Sequence, residues 1–72
     1  MGFSKEKIAK NLRVKRAELD MTQADLSERS GVNIATINSY EQEGYTPGAD
    51  KLCALAEALD CTPNDLLGWD VA

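Results

Sequence analysis

The chain has 72 residues, 43% of them hydrophobic and 28% charged, with a formal net charge of −4 and no histidine. That length suffices for one small domain and excludes two, so residues 1–72 read as a single unit. The composition is that of a globular body, not of a disordered tail.

No apolar run is long enough to cross a membrane, and no signal peptide is read at MGFSKEKIAK. A cytoplasmic, nucleoid-associated setting is therefore expected. Two cysteines, Cys53 and Cys61, stand eight residues apart. They cannot close a zinc site without further ligands, and an intracellular chain argues against a disulfide. Both are expected as small apolar residues in or near the core, with no metal and no cofactor. The charge is unevenly placed: residues 1–16 carry six cations against one acid, and residues 17–72 carry two against eleven. Such asymmetry suits a chain that meets a polyanion on one surface, and equally a solvated basic helix.

Every segment reads as helix, and none alternates as a half-buried strand would. The first helix is expected from about Lys5, with Ser4 as N-cap, to about Leu19, with Ile8, Leu12 and Leu19 on one stripe. Lys15 and Arg16 flank that stripe, so at least one of them lies near the core. Asp20-Met21 is a short link. Thr22-Gln23-Ala24-Asp25 has the form of a capping box and opens a second helix ending near Arg29. Ser30-Gly31-Val32 is the turn, where Gly31 supplies a positive φ. Asn33 caps a third helix running to about Glu41, and residues 41–47 form a loop marked by Gly44 and Pro47.

The fourth helix runs from about Gly48 to Leu59, with Ala49, Leu52, Leu55, Ala56 and Leu59 on one face. Thr62-Pro63-Asn64-Asp65 starts a fifth, which ends near Leu67. Within this order, residues 22–41 have the constituents of a helix-turn-helix. Ala24 and Ser27 are small residues for a close helix approach, and Gly31 sits in the turn. Leu26, Val32, Ile37 and Tyr40 are the apolar anchors.

Leu12-Arg13, Arg16, Thr22 through Ser27, Gly31-Val32, Ile37, Tyr40-Glu41, Pro47, Leu52, Leu55-Ala56, Ala58-Leu59 and Leu66-Leu67 together resemble the lambda-repressor-like helix-turn-helix family, also called the Cro/C1 or XRE type. The match covers about residues 6 to 67. It implies a compact all-α, five-helix domain whose third helix enters the major groove. It also implies an ion pair between Arg16 and Glu41, tying the first helix to the end of the third.

The family's base-reading positions fall on Asn33, Ile34, Ala35, Asn38 and Ser39. A helical wheel with Ile37, Tyr40 and Glu41 inward also turns Ala35, Asn38 and Ser39 outward. Asn38 has an amide able to pair with N6 and N7 of adenine, and Ile34 and Ala35 suit thymine methyls. The alternative for Ile34 is packing inward on the second helix. Backbone contacts are expected from Thr22, Gln23, Arg13, Lys15, Lys10 and Thr36. Three features depart from the family. Glu43 stands where Gly is usual and delays Gly44 by one place, with no cation nearby. Ser30 is polar where an apolar residue is usual, and the third helix carries no cation.

The function so implied is that of a sequence-specific regulator of transcription, a repressor by preference, binding a palindromic double-stranded operator as a homodimer at least on DNA. Leu66, Leu67, Trp69 and Val71 are the dimer candidates, although Trp69 could instead fold onto its own core. The competing reading is an antitoxin-like or adaptor module that keeps the fold with weak or no DNA binding; the acidic half would suit it. Nothing supports an enzyme: there is no histidine base, no activated cysteine and no phosphate loop. No small-molecule ligand or membrane partner is indicated.

Overall fold

The structure is a computed structural model that describes residues 5–68, and among those residues all regular structure is helical. α1 covers Lys5–Glu18, α2 Gln23–Ser30, α3 Ile34–Asn38, α4 Ala49–Ala58 and α5 Pro63–Leu67. A π turn, Ser39–Glu43, continues α3. The five-helix, all-α expectation holds.

α1 buries Ile8 and Leu12, as its spacing requires, but the stripe does not continue to Leu19, which is 43% exposed. Met21 takes that place, buried against the core. The cause is the way the helix closes. Asp20 adopts φ 55, and the N–H of Met21 turns back to the carbonyl of Arg16 at 2.8 Å. Asp20 N–H meets Ala17 O at 3.2 Å, which completes a Schellman motif. Such a motif turns the residue after the left-handed position inward.

α4 closes the same way. Asp60 has φ 55, and Cys61 N–H reaches Ala56 O at 2.9 Å. Cys61 therefore packs against the core, as expected, whereas Cys53 is exposed. Ala49 and Cys53 lie four residues apart on the outer face of α4, so both core assignments are corrected. Leu52, Leu55, Ala56 and Leu59 form the inner face.

The centre of the core is Ile8, Leu12, Leu26, Ile37, Leu55 and Leu66, one or two from each helix. Each such side chain contributes about 1.5–3 kcal/mol on burial. Leu66 is fully buried, so it belongs to the core and is not a dimer contact. Leu67 packs partly against the core. Trp69 and Val71 lie outside the described residues.

The third helix differs from expectation at its end. It runs to Glu43, not Glu41, and its last turn is π-helical before Gly44 closes it at φ 75. An i→i+5 ring encloses one more residue than an α turn. The turn therefore accommodates Glu43, the residue that delays Gly44 relative to the family pattern. Tyr40 and Glu41 both remain buried across it.

Candidate nucleic-acid interface

The α2 entry is a complete capping box: Asp25 N–H donates to Thr22 Oγ1, and Thr22 N–H to Asp25 Oδ2, each at 3.0 Å. The donated N–H holds the Asp25 carboxyl below its ordinary pKa. α2 stops at Gly31, φ 77, whose N–H reaches Ser27 O at 2.9 Å. Val32, buried after the turn, is gripped from both sides. Its N–H donates to Ser30 Oγ at 3.1 Å, and its carbonyl accepts from Ser27 Oγ at 2.7 Å. Ser30 thus satisfies a backbone donor in the turn, which explains a polar residue where the family has an apolar one. Ala24 is exposed, so Ser27 alone of the two expected small residues lies at the helix approach.

Asn33 caps α3, its Oδ1 accepting from Ala35 N–H at 2.8 Å. With Ile37 and Tyr40 buried, Asn33, Ile34, Ala35 and Asn38 are exposed together. Ile34 is 45% exposed, which removes the inward alternative. Thr36 and Ser39 are half-buried at the edges of this face. Ser39 Oγ donates to Ala35 O at 3.1 Å.

Glu41 is the hub beneath the face. Arg16 clamps its carboxylate with two parallel bonds, Nε to Oε2 and Nη2 to Oε1, both 2.7 Å. Those bonds push the Arg16 guanidinium pKa upward against the opposing effect of burial. Arg16 Nη1 also meets Met21 O at 3.0 Å, so one side chain braces the end of α1 and the end of α3. The expected ion pair is present at the edge of the core, with the Glu41 side chain fully enclosed and that of Arg16 17% exposed. Gln23 adds a third donor, its Nε2 3.1 Å from Glu41 Oε1.

The cations do not form one ledge. Arg13 lies beside the π turn, its Nη1 donating to Glu41 O at 2.7 Å, and Lys10 is exposed one turn earlier. Lys15 turns the other way: it lies near Asp65 and Cys61, with Nζ 3.5 Å from Glu18. Lys7 Nζ reaches Gly68 O at 3.4 Å, also on the α5 side. Arg13 is thus a helix-one cation on the side of the exposed face, and Lys15 is not. A groove of about 370 Å³ separates α1 from the π turn, and Glu6 and Glu43 put negative charge on opposite walls.

The reading from sequence missed Gln23 as a bridge between Glu41 and Asn38, and Arg13 as a ligand of the Glu41 carbonyl. A glutamine at the first position of a capped helix carries no pattern that names its partner.

A helix-turn-helix family model matches residues 12–66. Repressor protein C2 of Salmonella phage P22 is 32% identical over 65 residues, covering 90% of this chain and 30% of its own length. The chain therefore spans under a third of the curated relatives it matches. Among solved structures, the restriction-modification controller protein C.AhdI of Aeromonas hydrophila superposes with a TM-score of 0.80 at 26% identity, over 86% of this chain and 94% of that one. The P22 c2 repressor, solved in complex with a synthetic operator, gives 0.79 at 33% identity, over 88% and 96%.

Proposed function

This chain belongs to the lambda-repressor-like branch of the helix-turn-helix family, and from that premise we propose that it is the DNA-binding part of a sequence-specific regulator, a repressor by preference. α3 lies in the major groove of a double-stranded operator, with Asn33, Ile34, Ala35 and Asn38 at base edges and Ser39 at the rim. The observation that carries this reading is the exposed, uncharged face of α3, its backing residues locked to the core by the Arg16–Glu41 pair. Ile34 offers an apolar surface for a thymine methyl, which is accessible only in the major groove. Asn33 and Asn38 supply polar contacts, each good pair contributing about 1–3 kcal/mol of discrimination.

Arg13, Lys10, Thr36 and the backbone N–H of Gln23 meet phosphates and set the docking without reading sequence, the Thr22 N–H being taken by Asp25. With few cations on this side, the affinity falls only gently with salt. Two chains bind half-sites about one helical turn apart, because one short helix reads too few base pairs alone. Leu67, with Trp69 and Val71, is the apolar material for that pairing. Working on nucleoid DNA, the chain acts in the cytoplasm.

The test is selection of bound duplexes from a random pool at low salt, followed by Asn38→Ala and Ile34→Ala. A palindromic motif that loses positions in each variant is the expected result. No enriched motif would favour the adaptor reading, which the acidic charge of residues 17–72 supports.

A further inference from the structure

Two arginines of α1 end on one residue. Arg16 holds the Glu41 carboxylate with bonds of 2.7 Å, and Arg13 Nη1 donates to the Glu41 backbone carbonyl, also at 2.7 Å. We infer that Arg13 is a positioning residue: it fixes the backbone at the end of the reading helix against α1, and so sets how sharply that helix discriminates between DNA sequences. The inference rests on the DNA-binding reading above and gives Arg13 a role besides phosphate contact.

The two bonds hold different things. A carboxylate is separated from its own backbone by the side-chain torsions, so gripping it leaves the helix axis some play. A carbonyl belongs to the main chain, and a donor placed on it removes that play. Arg13 acts where such a bond is needed. Glu41 lies in the π turn Ser39–Glu43 that continues α3. Carbonyls in the last turn of a helix have no intrahelical partner. The turn also carries one residue more than an α turn would enclose.

The place of the bond along the helix gives it reach. Glu41 follows Asn38 by three residues, about one helical turn, so the pinned carbonyl and Asn38 move as one piece. The other end of α3 is held separately, by Val32 in the core and by the Asn33 cap. Without Arg13, Glu41 keeps its ion pair and the fold survives, but the far end of the reading helix gains play. A looseness of about 1 Å is enough to spoil contacts that need fixed geometry.

Phosphate contact alone predicts something else. A cation that only meets phosphate contributes alike to every duplex. A positioning residue contributes more to the selected sequence than to random DNA. The experiment compares the wild-type chain with Arg13→Met, which keeps an unbranched side chain without a donor, and with Lys10→Met. Lys10 is an exposed cation of the same helix and serves as the control.

In the free protein, the Glu41 carbonyl carbon resonance is expected to move upfield in Arg13→Met and to stay in place in Lys10→Met. On DNA, Arg13→Met is expected to lose about tenfold in its preference for the selected sequence over random duplex, the size of a coupling between residues in contact. Lys10→Met weakens both duplexes by the same factor.

Three results overturn the inference and leave the DNA-binding reading intact. They are an unmoved Glu41 resonance in Arg13→Met, a preference in that variant within about twofold of wild type, or an equal loss of preference in Lys10→Met. A chain that selects no sequence overturns both.

Discussion

α1 is held to its neighbours on two sides, by two kinds of bond. Toward the π turn, Arg16 grips the enclosed carboxylate of Glu41, and Arg13 takes the carbonyl of the same residue at 2.7 Å. Toward α5, Asn11 Nδ2 donates to Asp65 O at 3.2 Å and Leu66 O at 3.1 Å, and Lys7 reaches Gly68 O. The first side is a charge taken out of water, stable when complete and costly when halved. The second serves the orphan carbonyls in the last turn of a short helix, at or near the surface, where each bond contributes modestly. The helix proposed to read DNA thus hangs from the strong side, and the closing helix from the weak one.

The sharpest way to break this contrast is Arg16→Ala. It leaves Glu41 buried without its counter-charge, which typically costs about 3–5 kcal/mol. Urea unfolding should register most of that, and a loss below about 1 kcal/mol would remove the pair from its central place. Arg16→Lys separates charge from geometry. It keeps the cation but not the parallel fork, so it should cost about 1.5–3 kcal/mol, the size of a charged hydrogen bond. If Lys and Ala cost the same, the fork matters and the charge does not.

Much of the strong side could be read in the sequence, and little of the weak one. Leu26, Val32, Ile37 and Tyr40 were recoverable because helical spacing and a turn glycine constrain one another. The Arg16–Glu41 pair came from the resemblance, since no local rule links residues that far apart. Leu19 reads as part of the buried stripe because the turn closing α1 uses Asp20, not Gly, in the left-handed position, and Asp gives no clear stop signal. The π turn was hidden for a similar reason. Its signature is one surplus residue before Gly44, visible only against a pattern of known length. Lys15 reads as a phosphate contact by its charge, but 100° of rotation per residue puts it nearer Lys7 and Asn11 than Arg13. The direction of an amide such as Gln23 depends on a neighbour's protonation and had no sequence signal at all.

On the weak side, Asn11→Ala removes two donations to the end of α5. A loss of about 1 kcal/mol is expected, since neutral bonds of this kind contribute about 0.5–1.5 kcal/mol each. Its location is more informative than its size. Amide exchange should quicken in residues 63–68 and stay unchanged in α2 and α3. Uniform quickening would mean that α5 is not separately held, and the two-sided description of α1 would fail.

The smallest effect belongs to the two capping boxes, one on each side of the molecule. Asp25 and Asp65 both titrate below the ordinary aspartate value of 3.8, chiefly because each accepts a backbone N–H, from Thr22 and Thr62 respectively. A carboxylate whose pKa is lowered by folding adds stability above the unfolded value, and that stability is lost as pH falls through the folded one. Both groups lie at the surface, so each contribution is small. Asp65→Asn should therefore melt slightly lower than wild type at pH 7, and the gap should close below the carboxylate range. Asp65 also lies near Lys15, and Asp25 near Arg29, each cation lowering its carboxyl further, so added salt should shrink both gaps at pH 7. An Asp65→Asn gap that salt leaves unchanged would place Lys15 away from Asp65, and the division of the first helix's cations between two faces would have to be redrawn.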